Sequence, residues 1–148
     1  MLSYLCSARF ARISMLYALL SMLCPTMAWA LSAQAIVGHI IDGDTFSARV
    51  NLESGIEISV RVRFLGIDAP ELNGECDKEV LAAQASRDRL AQLIPVGGTV
   101  KLTNIKDDKY LGRINANIIK DGQDIGKIMI REGHAVQYSG KKRISWCD

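Results

Sequence analysis

From Ile56 to Phe64 the chain reads Ile-Glu-Ile-Ser-Val-Arg-Val-Arg-Phe, apolar and polar in unbroken alternation. A period of two belongs to a β-strand with one face in a core and the other toward water, so the fold must contain a half-buried sheet. Thr45 to Val50 alternates in the same way, and the polar, Gly-ended stretch from Asn51 to Gly55 suits a hairpin loop between them. Ile36 to Ile41 is a shorter apolar run that predicts a preceding strand. Thr99 to Ile105 and Arg113 to Ile119 predict two more, the latter with Ile114, Ala116 and Ile118 on one face. Between them, Asp77 to Ile94 has the helical period, with Val80, Ala83, Leu90, Ala91 and Ile94 along a stripe that also includes Arg87. Pro95 and Gly97-Gly98 end it. A second helix is predicted from Ile125 to Glu132, with Asp124 as N-cap, Ile125, Ile128 and Met129 inward and Gly133 as the stop. The expected class is therefore mainly β with helices (α+β). Its architecture is a five-stranded Greek-key barrel of the OB type, with one helix after the third strand and one after the fifth.

The 148 residues are 49% hydrophobic and 23% charged, ordinary globular values that exclude a disordered chain, a collagen-like repeat and a polytopic membrane protein. The formal net charge is +2, and Arg9 and Arg12 account for all of that excess. The rest of the chain balances to zero, so any polyanion must be met by local arginines or a metal rather than by a basic surface.

Residues 1–30 read as a secretory signal peptide. Arg9 and Arg12 precede an apolar run from Ile13 to Leu23, Pro25 breaks it, and Ala28-Trp29-Ala30 is an A-x-A-type cleavage site. An uncleaved anchor is disfavoured because the run is short for a span, and a lipoprotein at Cys24 because Leu23 is bulky. The mature domain is expected over residues 31–148, in the periplasm or outside the cell, as a monomer free of the membrane. Cys6 and Cys24 leave with the leader. Cys76 and Cys147 remain as an even pair in an oxidising compartment, which predicts a disulfide. Closing a loop of about seventy residues stabilises by roughly 4 kcal/mol on the loop-entropy model.

Acids cluster at Asp42-Gly43-Asp44-Thr45 and at Asp68-Ala69-Pro70-Glu71, both directly after strands and so at one end of a barrel. Asp44, Asp68 and Glu71 offer the hard oxygen ligands that Ca²⁺ or Mg²⁺ prefers. Each stretch alone also reads as an ordinary turn or loop entry. Arg63 and Arg113 lie on the polar faces of their strands, and the planar fork of arginine bonds two phosphate oxygens at once. Together the set has the chemistry of a metal held by acids, a further carboxylate to activate water, and two cations for an anionic phosphate.

Three motifs in order carry a resemblance: Ile41-Asp42-Gly43-Asp44-Thr45, then Val62 through Glu71, then Asp108-Lys109-Tyr110-Leu111-Gly112-Arg113. With a helix between the second and third, the pattern from about Ile36 to Tyr138 resembles the thermonuclease (staphylococcal-nuclease-like) family. The resemblance implies an OB barrel and Ca²⁺-dependent hydrolysis of DNA and RNA phosphodiesters to 3′-phosphates. By the same resemblance Asp44 and Asp68 match the calcium carboxylates, Ala69 a ligand through its backbone carbonyl, and Asp42 a supporting acid. Glu71 matches the general base, Arg63 and Arg113 the arginines on the scissile phosphate, and Lys109, Tyr110 and Tyr138 the nucleotide pocket. Leu111 is one residue more than the family's commonest D-x-Y-G-R form has, which leaves the register of Tyr110 open. An OB module that binds single strands without cleaving them is the alternative function, but it would have no use for the acids. His39 and His134 read as structural or exposed, Lys141-Lys142-Arg143 as a solvated basic tail, and Trp146 as packed against the body.

Overall fold

A computed structural model describes residues 32–51 and 55–148. The expected leader, residues 1–30 with Cys6 and Cys24, lies outside the described residues, as do residues 52–54 of the expected hairpin loop. In chain order the elements are β1 (Ala33–Ile40), β2 (Thr45–Asn51), β3 (Glu57–Phe64), β4 (Ile67–Asp68), α1 (Asp77–Leu93), β5 (Thr99–Asp107), β6 (Arg113–Lys120), β7 (Gln123–Asp124), α2 (Ile125–Arg131) and β8 (Val136–Gln137).

The long strands close a barrel of the OB type. β1, β2 and β3 form an antiparallel meander, β5 pairs antiparallel with both β1 and β6, and β6 closes on β3 in parallel register. Alternation does the work the sequence assigns to it. Phe46, Ala48 and Val50 of β2, Val62 and Phe64 of β3, Val100 and Leu102 of β5, and Ala116 and Ile118 of β6 all point into one core. Phe46 and Phe64 meet edge to face, their ring centres 6.1 Å apart.

Two expectations need correction. The start of β3 is not core: Ile56 is 58% exposed and Ile58 37%. β6 joins β3 only from Arg61 onward, so the first half of β3 runs past the barrel with β2 as its neighbour. The inward stripe of α1 is also rotated. Its buried residues are Glu79, Ala83, Ser86 and Leu90, while Val80, Ala91 and Arg87 are half-buried. A polar pair takes the place of an apolar stripe because each member has a partner inside, Ser86 donating to the His134 carbonyl at 2.7 Å.

α2 follows its sequence signals. The Asp124 side chain accepts from the Lys127 amide at 3.1 Å, and Gly133, at a φ of 77°, supplies the left-handed turn that stops the helix. The short pair β4 and β8 has no periodicity signal; it fixes Asp68 opposite Val136. A disulfide joins Cys76, at the N-cap of α1, to Cys147 across 71 residues of sequence. Among the described residues no helix is long and apolar enough to cross a membrane.

Candidate active site

The turn between β1 and β2 holds the first acids. Asp42 caps it: its Oδ1 accepts from the Asp44 amide at 2.9 Å. Gly43 is required by contact, since a Cβ there would run into the Ser86 hydroxyl and the Ala69 methyl. The turn thus seats Asp44 inside, 2% exposed. Asp44 Oδ1 accepts from the Thr45 hydroxyl at 2.8 Å and from Arg63 Nη1 at 2.8 Å, and its Oδ2 accepts from the Ala69 amide at 3.2 Å.

The second acid stretch meets it. Asp68, 1% exposed, accepts from Arg63 Nη2 at 3.1 Å. One guanidinium on the polar face of β3 therefore bridges two buried carboxylates that lie 24 residues apart in sequence. Burial pushes the Asp44 carboxyl up to about 7; Arg63 pulls it down and Asp42 adds to the rise. Such a carboxylate is short of positive charge.

Glu71 is placed by its backbone. Glu79, in the first turn of α1, accepts from the Glu71 amide at 3.2 Å and from the Glu75 amide at 3.0 Å. Those two bonds, the one from Glu75 first, hold the Glu79 carboxyl below its ordinary value. The helix start thereby pins the loop that presents Glu71, whose side chain is 47% exposed. A buried glutamate on a helix reads as a flaw in periodicity, and sequence reasoning passed over it.

Arg143 departs from its expected place. The expected solvated basic tail is corrected by three hydrogen bonds: Arg143 Nε donates to Asp68 Oδ2 at 2.8 Å, Nη1 to Glu71 Oε1 at 2.7 Å and Nη2 to the Ala69 carbonyl at 2.9 Å. Desolvation works against its charge, but the bond to Asp68 and the fields of Asp68, Glu71 and Asp44 raise its pKa. No local signal marks this residue, because its partners lie more than seventy positions away in the chain.

Beside the acids runs an open groove of ≈ 750 Å³, lined in part by Arg61, Arg63, Arg113, Tyr110 and Tyr138. Arg113 is held bidentately by Asp108, Nε to Oδ2 at 3.0 Å and Nη2 to Oδ1 at 3.2 Å. Burial alone would raise the Asp108 carboxyl, but bonds from Arg113, the Tyr110 amide and Asn115 outweigh it and hold the carboxyl below its ordinary value. The Tyr110 ring lies 4.4 Å from the Arg113 guanidinium and 5.0 Å from the Lys109 ammonium. Leu111 is fully exposed, so the turn takes up that residue while Tyr110 still lines the groove. Tyr138 also lines it, and its hydroxyl donates to the Lys141 carbonyl at 2.7 Å. The fold thus brings Asp44, Asp68, Ala69, Glu71 and Arg63 to one edge of the groove and Lys109, Tyr110, Arg113 and Tyr138 around it. Asp42 serves as a turn former.

Among the described residues, no three His, Cys, Asp or Glu side chains gather closely enough to enclose a metal ion by themselves. Asp44, Asp68 and the Ala69 carbonyl are nevertheless hard oxygen donors of the class calcium takes, with water completing its shell. The donor set fits calcium.

Comparison with known proteins gives the family. The family model described as staphylococcal nuclease homologue matches residues 61–145. A curated relative, Endonuclease YhcR of Bacillus subtilis (strain 168), is 26% identical over 113 residues, which is 71% of this chain and 9% of the relative. The chain thus spans less than a tenth of that relative's length.

Proposed function

This chain belongs to the staphylococcal nuclease family, and from that membership we propose that it is an exported, calcium-dependent nuclease. On this reading it hydrolyses phosphodiester bonds of DNA, RNA or both and leaves 3′-phosphates. The observation that carries the reading is the convergence of Asp44, Asp68, the Ala69 carbonyl and Glu71 on shared guanidinium groups at the edge of an arginine-lined groove. The Cys76–Cys147 disulfide supports export, since such bonds persist in oxidising compartments. Outside the cell a weak calcium site of roughly 10⁻⁴–10⁻³ M suffices.

When bound by Asp44, Asp68 and the Ala69 carbonyl, calcium supplies positive charge against the phosphate. The protein does the rest. Arg63, with the N–H groups that its bonds to Asp44 and Asp68 leave over, and Arg113 offer donors to phosphate oxygens whose charge grows toward the transition state, where fixed donors gain most. Asp108 takes two of the Arg113 N–H groups and fixes the guanidinium at the groove wall, leaving the other three for a phosphate that enters it. Glu71, half exposed on a loop fixed by Glu79, accepts a proton from the attacking water. Tyr110 and Tyr138 offer rings for a base or sugar, and Lys109 adds charge beside them.

The test is incubation of the purified chain with single- and double-stranded DNA and with RNA, in calcium and in chelator, followed by end-group analysis. Cleavage that stops on chelation and leaves ends extendable only after phosphatase treatment is the expected result. Retention of strands without cleavage would overturn the proposal and identify a non-catalytic OB module.

A further inference from the structure

Arg143 donates to three oxygens that the proposed function assigns to the metal and to the base: Asp68 Oδ2, the Ala69 carbonyl and Glu71 Oε1. Calcium sits about 2.3–2.6 Å from its oxygens. An ion on the same lone pairs of Asp68 and Ala69 would overlap the Nε and Nη2 nitrogens that bond them at 2.8 and 2.9 Å. It would also stand beside a full positive charge. Guanidinium and metal are therefore rivals for one place.

From these contacts we infer that Arg143 is an intramolecular competitor for the calcium site. It fills the site when metal is absent, must swing out when metal binds, and sets the site's apparent affinity. This rests on the calcium reading above. The tail is built to keep the competitor close. On one side Tyr138 is tied to the body by its amide, which donates to the Gly66 carbonyl at 2.9 Å. On the other, Cys147 is bonded to Cys76 at the start of α1, and Lys78 contacts the terminal Asp148. The segment between is short, so Arg143 faces the acids at high effective concentration. Lys141, Lys142, Arg143 and Ile144 are all exposed, but the Arg143 guanidinium spends its donors on Asp68, Glu71 and the Ala69 carbonyl.

A site whose competent form is populated one time in ten loses about tenfold in apparent affinity. The experiment is calorimetric titration of the oxidised chain with calcium alone, without nucleic acid, for wild type, Arg143→Ala, Lys142→Ala and the Cys76→Ser/Cys147→Ser pair. Arg143→Ala is expected to tighten calcium by about tenfold or more, Lys142→Ala to change it little, and the untethered pair to fall between them. A second readout needs no variant: calcium should shift the Arg143 Nε–Hε resonance of the wild-type chain as its bond to Asp68 breaks. If wild type binds calcium and Arg143→Ala binds it no tighter, the competition is wrong while the calcium reading stands. An Nε–Hε resonance that ignores bound calcium has the same meaning. If neither protein binds calcium, both inferences fall.

Discussion

Ionised Asp44 is held in a place that punishes its charge, and Asp44→Asn measures by how much. Its carboxyl is raised from 3.8 to about 7, chiefly by burial, despite Arg63. A carboxyl whose folded pKa lies above its unfolded value favours the fold at low pH. That contribution is complete below about 3.8 and is lost as pH rises through about 7. At about 1.36 kcal/mol per unit between the two values, the acid costs the metal-free fold about 4 kcal/mol near pH 8 and about 2 kcal/mol near pH 5. Asparagine keeps the shape and removes the charge. It also puts an amide nitrogen where an oxygen accepted from Ala69, Thr45 or Arg63, at a cost of about 1–3 kcal/mol. That penalty is the same at both pH values, so the pH-dependent part stands clear. Relative to wild type, the variant should gain about 2–3 kcal/mol of stability between roughly pH 5 and pH 8. Urea unfolding in chelator, followed by tryptophan fluorescence at both pH values, gives the number. A stability difference that stays flat across this range would refute the picture of a buried carboxylate short of cations. Calcium should reverse the ranking near pH 8, stabilising wild type and leaving Asp44→Asn unmoved.

Three further outcomes follow from the same geometry. Arg113→Lys keeps a charge but loses the fork that spans both Asp108 oxygens; calcium-dependent cleavage should slow by on the order of 10²–10³, read as kcat on a defined oligonucleotide. Glu79 has a depressed pKa, so its hold on the Glu71 and Glu75 amides is complete above the ordinary 4.5 and fades as pH falls through the lower folded value. The two amide resonances should titrate together with a midpoint below 4.5, and Glu79→Gln should lower kcat more than it raises KM; independent titration of the two amides would deny the shared acceptor. Reducing Cys76–Cys147, which closes a separation of 71 residues, should cost roughly 4 kcal/mol, visible as a drop in the thermal midpoint that reoxidation restores.

What the sequence determined by itself was local or periodic. Alternation specified the strands because side chains on a strand must take opposite faces, and the Asp124 cap and Gly133 stop bounded α2 because helix ends need an acceptor and a left-handed residue. Spacing of acids after strands brought Asp44, Asp68 and Arg63 within reach of one another, since strand ends in a barrel share a rim. Only the tertiary structure decided how charges were shared there. Glu79 and Ser86 are buried because partners from distant loops satisfy them, and periodicity reads them as errors. β3 leaves the core at Ile56 and Ile58 because β6 is too short to cover it. Arg143, one basic residue in a basic run, becomes part of the acid site because a disulfide and a backbone bond hold its tail against the loop. A contact made across more than seventy residues leaves no trace in the neighbourhood of either partner; it exists only once the chain has closed.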